Sequence, residues 1–305
     1  MAASGGRKAI LAAFFANLGI AVAKFIGFAF TGASSMLAEA IHSCADTGNQ
    51  ALLLLGGRLA RRDATPAHPF GFGRERYFWS FVVSMVLFTL GSLFAISKGV
   101  EKIRDPHEID SLYWAFGILG MAIVLESYSF RTAIRESNLI RGNASWVSFI
   151  RRAKVPELPV VLLEDLGALV GLVFALVALV IAEVADAPIW DGIGTLAIGI
   201  LLGLIATVLA IEMRSLLLGE GAKTADLIAI ESAITSTTGV DRLIHLRTQH
   251  LGPDDLLVAA KIHFDATYSM IDLADAIDRV EAAVREQVPI ARPMYIEPDI
   301  WRDLP

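Results

Sequence analysis

Hydrophobic residues fill the first two thirds of the chain in six runs separated by short polar stretches. A helix needs about 20 apolar residues to cross roughly 30 Å of hydrocarbon, and the runs have that length. They predict membrane-spanning helices over about 9–30, 36–57, 79–100, 112–130, 158–182 and 191–211. An even number of spans puts both chain ends on one side. From Gly219 onward the pattern becomes that of a small soluble domain. It predicts a helix near 222–237, strands near 241–249 and 256–265, a helix near 269–287 and a last strand near 291–297. Ile262 and Phe264 alternate with His263 and Asp265, Gly252 and Pro253 supply the hairpin connection, and Ile271, Ala274, Ile277, Val280 and Val284 mark the inward face of the second helix. The fold class expected is an α-helical membrane protein. A six-helix transmembrane domain over 1–215 is followed by a cytosolic α+β domain over 216–305, in a ferredoxin-like or related α-β-β-α-β order. Two helices over a small sheet leave the far sheet face bare, and a domain of about 80 residues needs a partner to cover it, so a homodimer is expected.

Composition narrows the class. Of 305 residues, 55% are hydrophobic and 19% charged, which excludes an ordinary soluble enzyme and makes the lipid bilayer a partner. A net charge of -6 argues against nucleic acid. The single cysteine, Cys44, excludes a disulfide framework and a thiolate cluster, and its place on the second span predicts a small packing residue. Basic residues orient the bundle: Arg7 and Lys8 precede the first span, Arg58, Arg61, Arg62, Arg74 and Arg76 lie between the second and third, and Arg131, Arg135, Arg141, Arg151, Arg152 and Lys154 follow the fourth. The opposite loops are poorer in base, so both termini are expected in the cytoplasm. No processing signal is legible, and a multi-pass bacterial cytoplasmic membrane protein is the simplest setting.

The chemistry lies in polar groups placed inside apolar runs. The second span carries Glu39, His42, Asp46 and Asn49. At about 100° per residue, His42 and Asp46 differ by about 40°, so one stripe carries two carboxylates and an imidazole. Facing lipid, each would cost several kcal/mol, so the stripe should face the bundle interior, where a divalent cation can compensate the charge. The fifth span repeats the anomaly with Glu164 and Asp165. Adjacent residues on a helix diverge, so Asp165 is expected toward the metal, with Glu164 an alternative ligand or supporting base. Glu126 on the fourth span is a ligand, a proton carrier or an interhelical structural group, and Asn17 and Lys24 lie on the first. One histidine nitrogen with two or three carboxylate oxygens makes a four-coordinate site suited to Zn²⁺, with Co²⁺, Fe²⁺ and Mn²⁺ left open. The His-Glu-x-x-His pattern of a metalloprotease is missing, and no enzyme is expected. A membrane scaffold that transports nothing remains the alternative from a different class.

At these residues the chain resembles the cation diffusion facilitator family. The similarity rests on 38-AEAIHSCADTGNQALLLLGG-57, 68-HPFGFGRERY-77, 160-VVLLEDLGALVG-171, Asp191-Gly192 and the tail 245-HLRTQHLGPDDLLVAAKIHFD-265. It implies a homodimeric transporter that moves Zn²⁺ or a similar ion out of the cytoplasm by exchange with protons through alternating access, with no cofactor beyond the transported cation. Carried over residue by residue, it implies His42, Asp46 and Asp165 as ligands. Many members place His or Asp four residues before the position of Asp165, where this chain has Val161, and Glu164 is the compensating candidate. That arrangement and Phe72 resemble the branch related to eukaryotic zinc transporter nine. Phe72 stands where many relatives have a second loop histidine, which argues against a metal site around His68. In the tail His245, His250 and His263 are weaker metal candidates, since Ala274, Ile296 and Glu297 offer no further imidazole. An ion-independent dimer domain is preferred there to a binuclear sensing site. Protonation of His42 or a carboxylate, with Glu39, Asn49 and Glu126 as supporting or proton-coupling groups, would weaken coordination and link ion exit to proton entry.

Overall fold

The computed structural model describes the backbone of residues 2–31, 34–106 and 112–302, and the side chains there apart from 2–6, 27–28, 30–31, 34–42 and 112–115. It divides into two units, one built from Met1–Leu59 with Arg76–Arg214 and the other from Ala60–Glu75 with Ser215–Pro305.

The first unit is helical. It contains α1 (Ala2–Thr31), α2 (Ser34–Leu59), α3 (Glu75–Val86), a π-helical segment Leu87–Leu93, α4 (Phe94–Arg104), α5 (Leu112–Arg141), α6 (Trp146–Arg152), α7 (Glu157–Val184) and α8 (Ile189–Leu218). Among the described residues four stretches, not the six expected, are long and apolar enough to cross a membrane: Arg7–Ile26, Glu75–Arg104, Glu157–Val184 and Ile189–Leu218. The other two expected spans are helices of sufficient length, 26 residues in α2 and 30 in α5. Both include residues whose side chains lie outside those described, 34–42 in α2 and 112–115 in α5, and α2 also interrupts its apolar run with Asp46, Thr47, Asn49 and Gln50. The basic stretch after α5 is not a plain connection, because α6 forms there with Ser145 as its N-cap, its side chain accepting from the Ser148 N–H.

Helix α1 packs against α2, α5 and α7, and α5 against α7. The buried face of α1 is mostly small residues, Ala9, Ala13, Ala16 and Ala21, together with Asn17, Ile10 and Ile20, whereas Phe15, Val22 and Ile26 point outward. That distribution suits a helix between protein and lipid, where hydrocarbon gives large apolar side chains no reason to turn inward and close packing selects small ones. The third long helix meets α8 in the same way. A Cβ on Gly99 would stand 2.6 Å from the Leu196 nitrogen, and one on Gly199 2.7 Å from the Ile96 nitrogen. Ser92, in the π-helical segment, donates to the Gly199 carbonyl at 2.8 Å. The wider turn there re-aims Ser92 across the helix pair.

The second unit follows the expected order: α9 (Thr224–Thr235), β1 (Val240–Gly252), β2 (Asp255–Phe264), α10 (Met270–Gln287) and β3 (Met294–Pro298). The sheet runs β1-β2-β3, with the first pair antiparallel and the second parallel. Leu256, Val258, Ala260, Ile262 and Phe264 of β2 form the core with Ile230 and Ile234 of α9 and Val280 and Val284 of α10. The inward face of α10 is Leu273, Ala276, Ile277, Val280 and Val284; Ile271 and Ala274, expected there, are exposed. Helical periodicity accounts for that rotation, since Leu273 lies about 20° from Val284 and Ile271 about 140° from it; a capping box starts the helix, with Ser269 and Asp272 bonded to each other's backbone N–H. Nor is the far sheet face wholly bare. The Trp301 N–H donates to His263 Nδ1 at 3.2 Å, and the Arg242 guanidinium stacks 3.9 Å from the Trp301 ring centre.

Candidate metal centre

The polar residues of the helical unit gather between α1, α2, α5 and α7. Glu164 of α7 is buried, and each of its carboxylate oxygens accepts from an amide of α2: Asn49 Nδ2 reaches Oε1 at 2.9 Å and Gln50 Nε2 reaches Oε2 at 2.8 Å. Asn17 of α1 extends the chain, donating through Nδ2 to Gln50 Oε1 at 3.3 Å. Asp165 diverges from its neighbour as helical geometry requires and accepts from the Ser129 hydroxyl of α5 at 2.6 Å. Glu126 of α5 is buried and lies within charge–charge range of Asp165, Asp46 and Lys24, and Glu164 is likewise within range of Asp46. Lys24 Nζ donates to Ser43 Oγ at 3.1 Å, tying α1 to α2.

This arrangement concentrates negative charge away from water. Asp46, Glu126, Glu164 and Asp165 bring four carboxylates to one region of the bundle, and Lys24 is the cation among the described residues within their range. Donated hydrogen bonds from Asn49, Gln50 and Ser129 orient the carboxylates but add no positive charge. Protons or a bound cation would compensate the remainder, and oxygen ligands of this kind accept divalent ions.

The expected residues are distributed as follows. Asp46, Asn49, Glu126, Glu164 and Asp165 come together at this junction, with Glu164 held on α2 and Asp165 on α5. The side chains of Glu39 and His42 lie outside those described, although both residues belong to α2. Among the described residues no three His, Cys, Asp or Glu side chains form a ready metal cage. Gln50 and Ser129 were not anticipated. A weak signal for Gln50 exists in its position beside Asn49 and directly before Ala51 and four leucines, where an uncharged amide still needs a hydrogen-bond partner although it costs far less than a carboxylate. Cys44 is exposed rather than packed.

The tail histidines are scattered. His245 is exposed on β1 opposite Lys261, and His250 is buried near the hairpin, its Nδ1 3.3 Å from the Gly252 carbonyl oxygen. His263 sits on β2 with Nε2 3.8 Å from Asp241. Beside it the Ile300 N–H, followed by Lys261, holds the Asp299 carboxyl below the ordinary aspartate range. In the loop before α3, His68 packs on Phe72 with ring centres 4.6 Å apart.

Comparison with known proteins places these features in a family. Residues 10–218 match the model of the cation efflux transmembrane domain, and residues 222–299 match that of the cation efflux protein cytoplasmic domain. The chain is 30% identical over 269 residues to the mitochondrial proton-coupled zinc antiporter SLC30A9 of Xenopus laevis, covering 86% of this chain and 48% of that protein. To its Homo sapiens counterpart it is 30% identical over 247 residues, covering 79% and 43%. It is also 24% identical over 284 residues to the magnetosome protein MamB of Magnetospirillum gryphiswaldense, covering 92% and 89%. The chain thus spans about half the length of the zinc antiporters it matches.

Proposed function

The chain belongs to the cation efflux, or cation diffusion facilitator, family, and from that premise we propose that it carries a divalent metal cation, Zn²⁺ foremost, across a membrane in exchange for protons. One observation carries the reading: Glu164, buried and held through both oxygens by amides of α2, stands next to Asp165 and within charge range of Asp46. A bilayer-embedded group of carboxylates is costly unless protons or a cation neutralise it, which suits a site that exchanges one for the other. In this reading His42 and Asp46 of α2 and Asp165 of α7 ligate the ion, and Glu164 ligates it or braces the others. Capture requires deprotonated ligands, and protonation from the far side releases the ion, so flux in one direction is matched by protons in the other. His42 suits the exchange because an imidazole titrates near pH 6.5.

Alternating access around a fixed ligand set completes the cycle, with six helices spanning the bilayer and both termini in the cytoplasm. The second unit serves as the contact between two copies, a role supported by its small core and by its match to the family's cytoplasmic domain. The test is zinc flux into proteoliposomes under an imposed proton gradient. His42→Ala and Asp46→Ala should each abolish saturable flux while leaving assembly intact, and retained flux in both would reject the site. Counter-movement of protons, read with an entrapped pH dye, should vanish in the same variants.

A further inference from the structure

Asn49 is almost fully buried, at 2% exposure, yet only one end of its amide is engaged. Nδ2 donates to Glu164 Oε1 at 2.9 Å, while Oδ1 is buried without a hydrogen-bond donor among the described residues. With Glu164 ionised, as metal capture requires, the flipped amide would set a carbonyl oxygen against a carboxylate oxygen, so this orientation is the one that state selects. Since Oδ1 and Nδ2 share one carbon, covalent geometry alone places Oδ1 beside the Glu164 contact. An amide oxygen buried in this way has lost water without gaining a partner. Gln50, the adjacent amide on α2, shows the contrast: its Nε2 donates to Glu164 and its Oε1 accepts from Asn17, so both ends are engaged.

A buried carbonyl oxygen in a region rich in uncompensated carboxylates is a cation ligand in waiting. We infer that Asn49 Oδ1 is a direct, neutral oxygen ligand of the transported ion, while Nδ2 of the same amide holds Glu164 in place. The inference rests on the reading of the α2–α7 junction as the transport site. It also gives Asn49 a part in specificity. Imidazole suits zinc, whereas carbonyl and carboxylate oxygens suit harder ions such as Mn²⁺, so the amide oxygen broadens the site toward hard cations.

The test is titration of the full chain in lipid nanodiscs with ZnCl₂ and with MnCl₂. Asn49→Leu should weaken Mn²⁺ binding by roughly 10- to 100-fold, the range seen when a group supporting a metal site is removed, and Zn²⁺ binding by only a few-fold. Asn49→Asp keeps an oxygen at the position but loses the Nδ2 donor to Glu164, so its Mn²⁺ binding should match that of Gln50→Leu, which loses the other Glu164 donor, rather than that of Asn49→Leu. Gln50→Leu removes the other Glu164 donor without touching Oδ1 and is the reference for a purely positional effect, lowering both metals alike. Equal losses for the two metals in Asn49→Leu, Mn²⁺ binding as weak in Asn49→Asp as in Asn49→Leu, or no measurable Mn²⁺ binding by the unaltered protein would each overturn the assignment. Asp46→Asn and Asp165→Asn separate the two levels. If they leave binding intact, the transport site lies elsewhere and the inference falls with it; if they abolish binding while Asn49→Leu changes nothing, the inference alone fails.

Discussion

The Ser129 hydroxyl of α5 donates to the Asp165 carboxylate of α7 at 2.6 Å, which ties Asp165 to a different helix from the one that holds its sequence neighbour Glu164. Two adjacent carboxylates are thereby steered apart, each by a neutral donor. If Asp165 ligates the ion, Ser129 acts by orienting it. Ser129→Ala should lower zinc affinity by roughly 10- to 100-fold with unchanged assembly, and Ser129→Thr, which restores a hydroxyl, should recover most of it. Calorimetric titration of the purified protein decides the matter, and an unchanged affinity in Ser129→Ala would remove Asp165 from the ligand set.

A third carboxylate of α7 has a structural task. Glu157, at the start of the helix, is buried and paired with Arg76 of α3, with Arg76 Nη2 2.8 Å from Glu157 Oε2 and Nε bonded to the other oxygen. Breaking a buried pair on one side strands the other charge, a loss of about 3–5 kcal/mol, whereas replacing both partners by apolar residues costs far less. Arg76→Leu should therefore lower the thermal midpoint in detergent well below that of the double variant with Glu157→Leu. A double variant no more stable than the single one would mean that the pair contributes net stability itself.

Much of this was legible in the chain and some of it could not have been. The order of elements in the second unit follows from period and turn residues, since Gly252 and Pro253 interrupt two alternating runs and α10 repeats with helical spacing. The rotation of α10 also follows from helical spacing, but not through steps of three residues: at about 100° per residue Leu273 lies about 20° from Val284, whereas Ile271 lies about 140° from it, because each three-residue step drifts by about 60°. At the centre, misplaced charges such as Asp46 and Asp165 announce themselves by their cost in an apolar run. Gln50 and Ser129 carry no charge, and their importance comes from which helix faces them, which is a property of packing. The split of Glu164 and Asp165 toward different helices was readable as a divergence of about 100°, but not which helix each would meet.

Close packing of α4 on α8 gives a third prediction. A methyl group added at Gly99 would meet backbone, the Leu196 nitrogen at 2.6 Å, with no side chain to swing away. Alanine gains roughly 1 kcal/mol of helix propensity over glycine, but overpacking against a rigid neighbour costs typically 1–3 kcal/mol and should win. Gly99→Ala is expected to lower the melting temperature. Gly117→Ala, where a Cβ meets nothing within 4 Å, is expected to leave it level or raise it. Equal midpoints for the two variants would mean that α4 and α8 yield freely at this contact.

In the second unit the pH dependence has a definite sign. The Ser269 hydroxyl, followed by the Ser269 N–H, holds the Asp272 carboxyl below its ordinary value of 3.8, and the Thr267 hydroxyl and N–H do the same for Asp265. A carboxyl with a depressed folded pKa contributes stability above its unfolded value and loses it as pH falls through the folded one. Lys261 is the opposite case: its hydrogen bonds to Glu297 and Asp299 raise it above 10.5, so its contribution is present below that value and is lost as pH rises through the folded pKa. The unit should thus hold its stability across neutral pH and lose it in acid, starting at the α10 capping box. Hydrogen exchange of the first-turn amides of α10 in the full chain, corrected for intrinsic rates, should show protection level down to about pH 5 and falling below it, through the unfolded value of 3.8 and on to the lower folded pKa. Asp272→Asn should begin with lower protection and flatten that acid limb. An acid limb of equal depth in the variant would assign the loss to Asp265, Asp299 or another carboxylate and take the capping box out of the account.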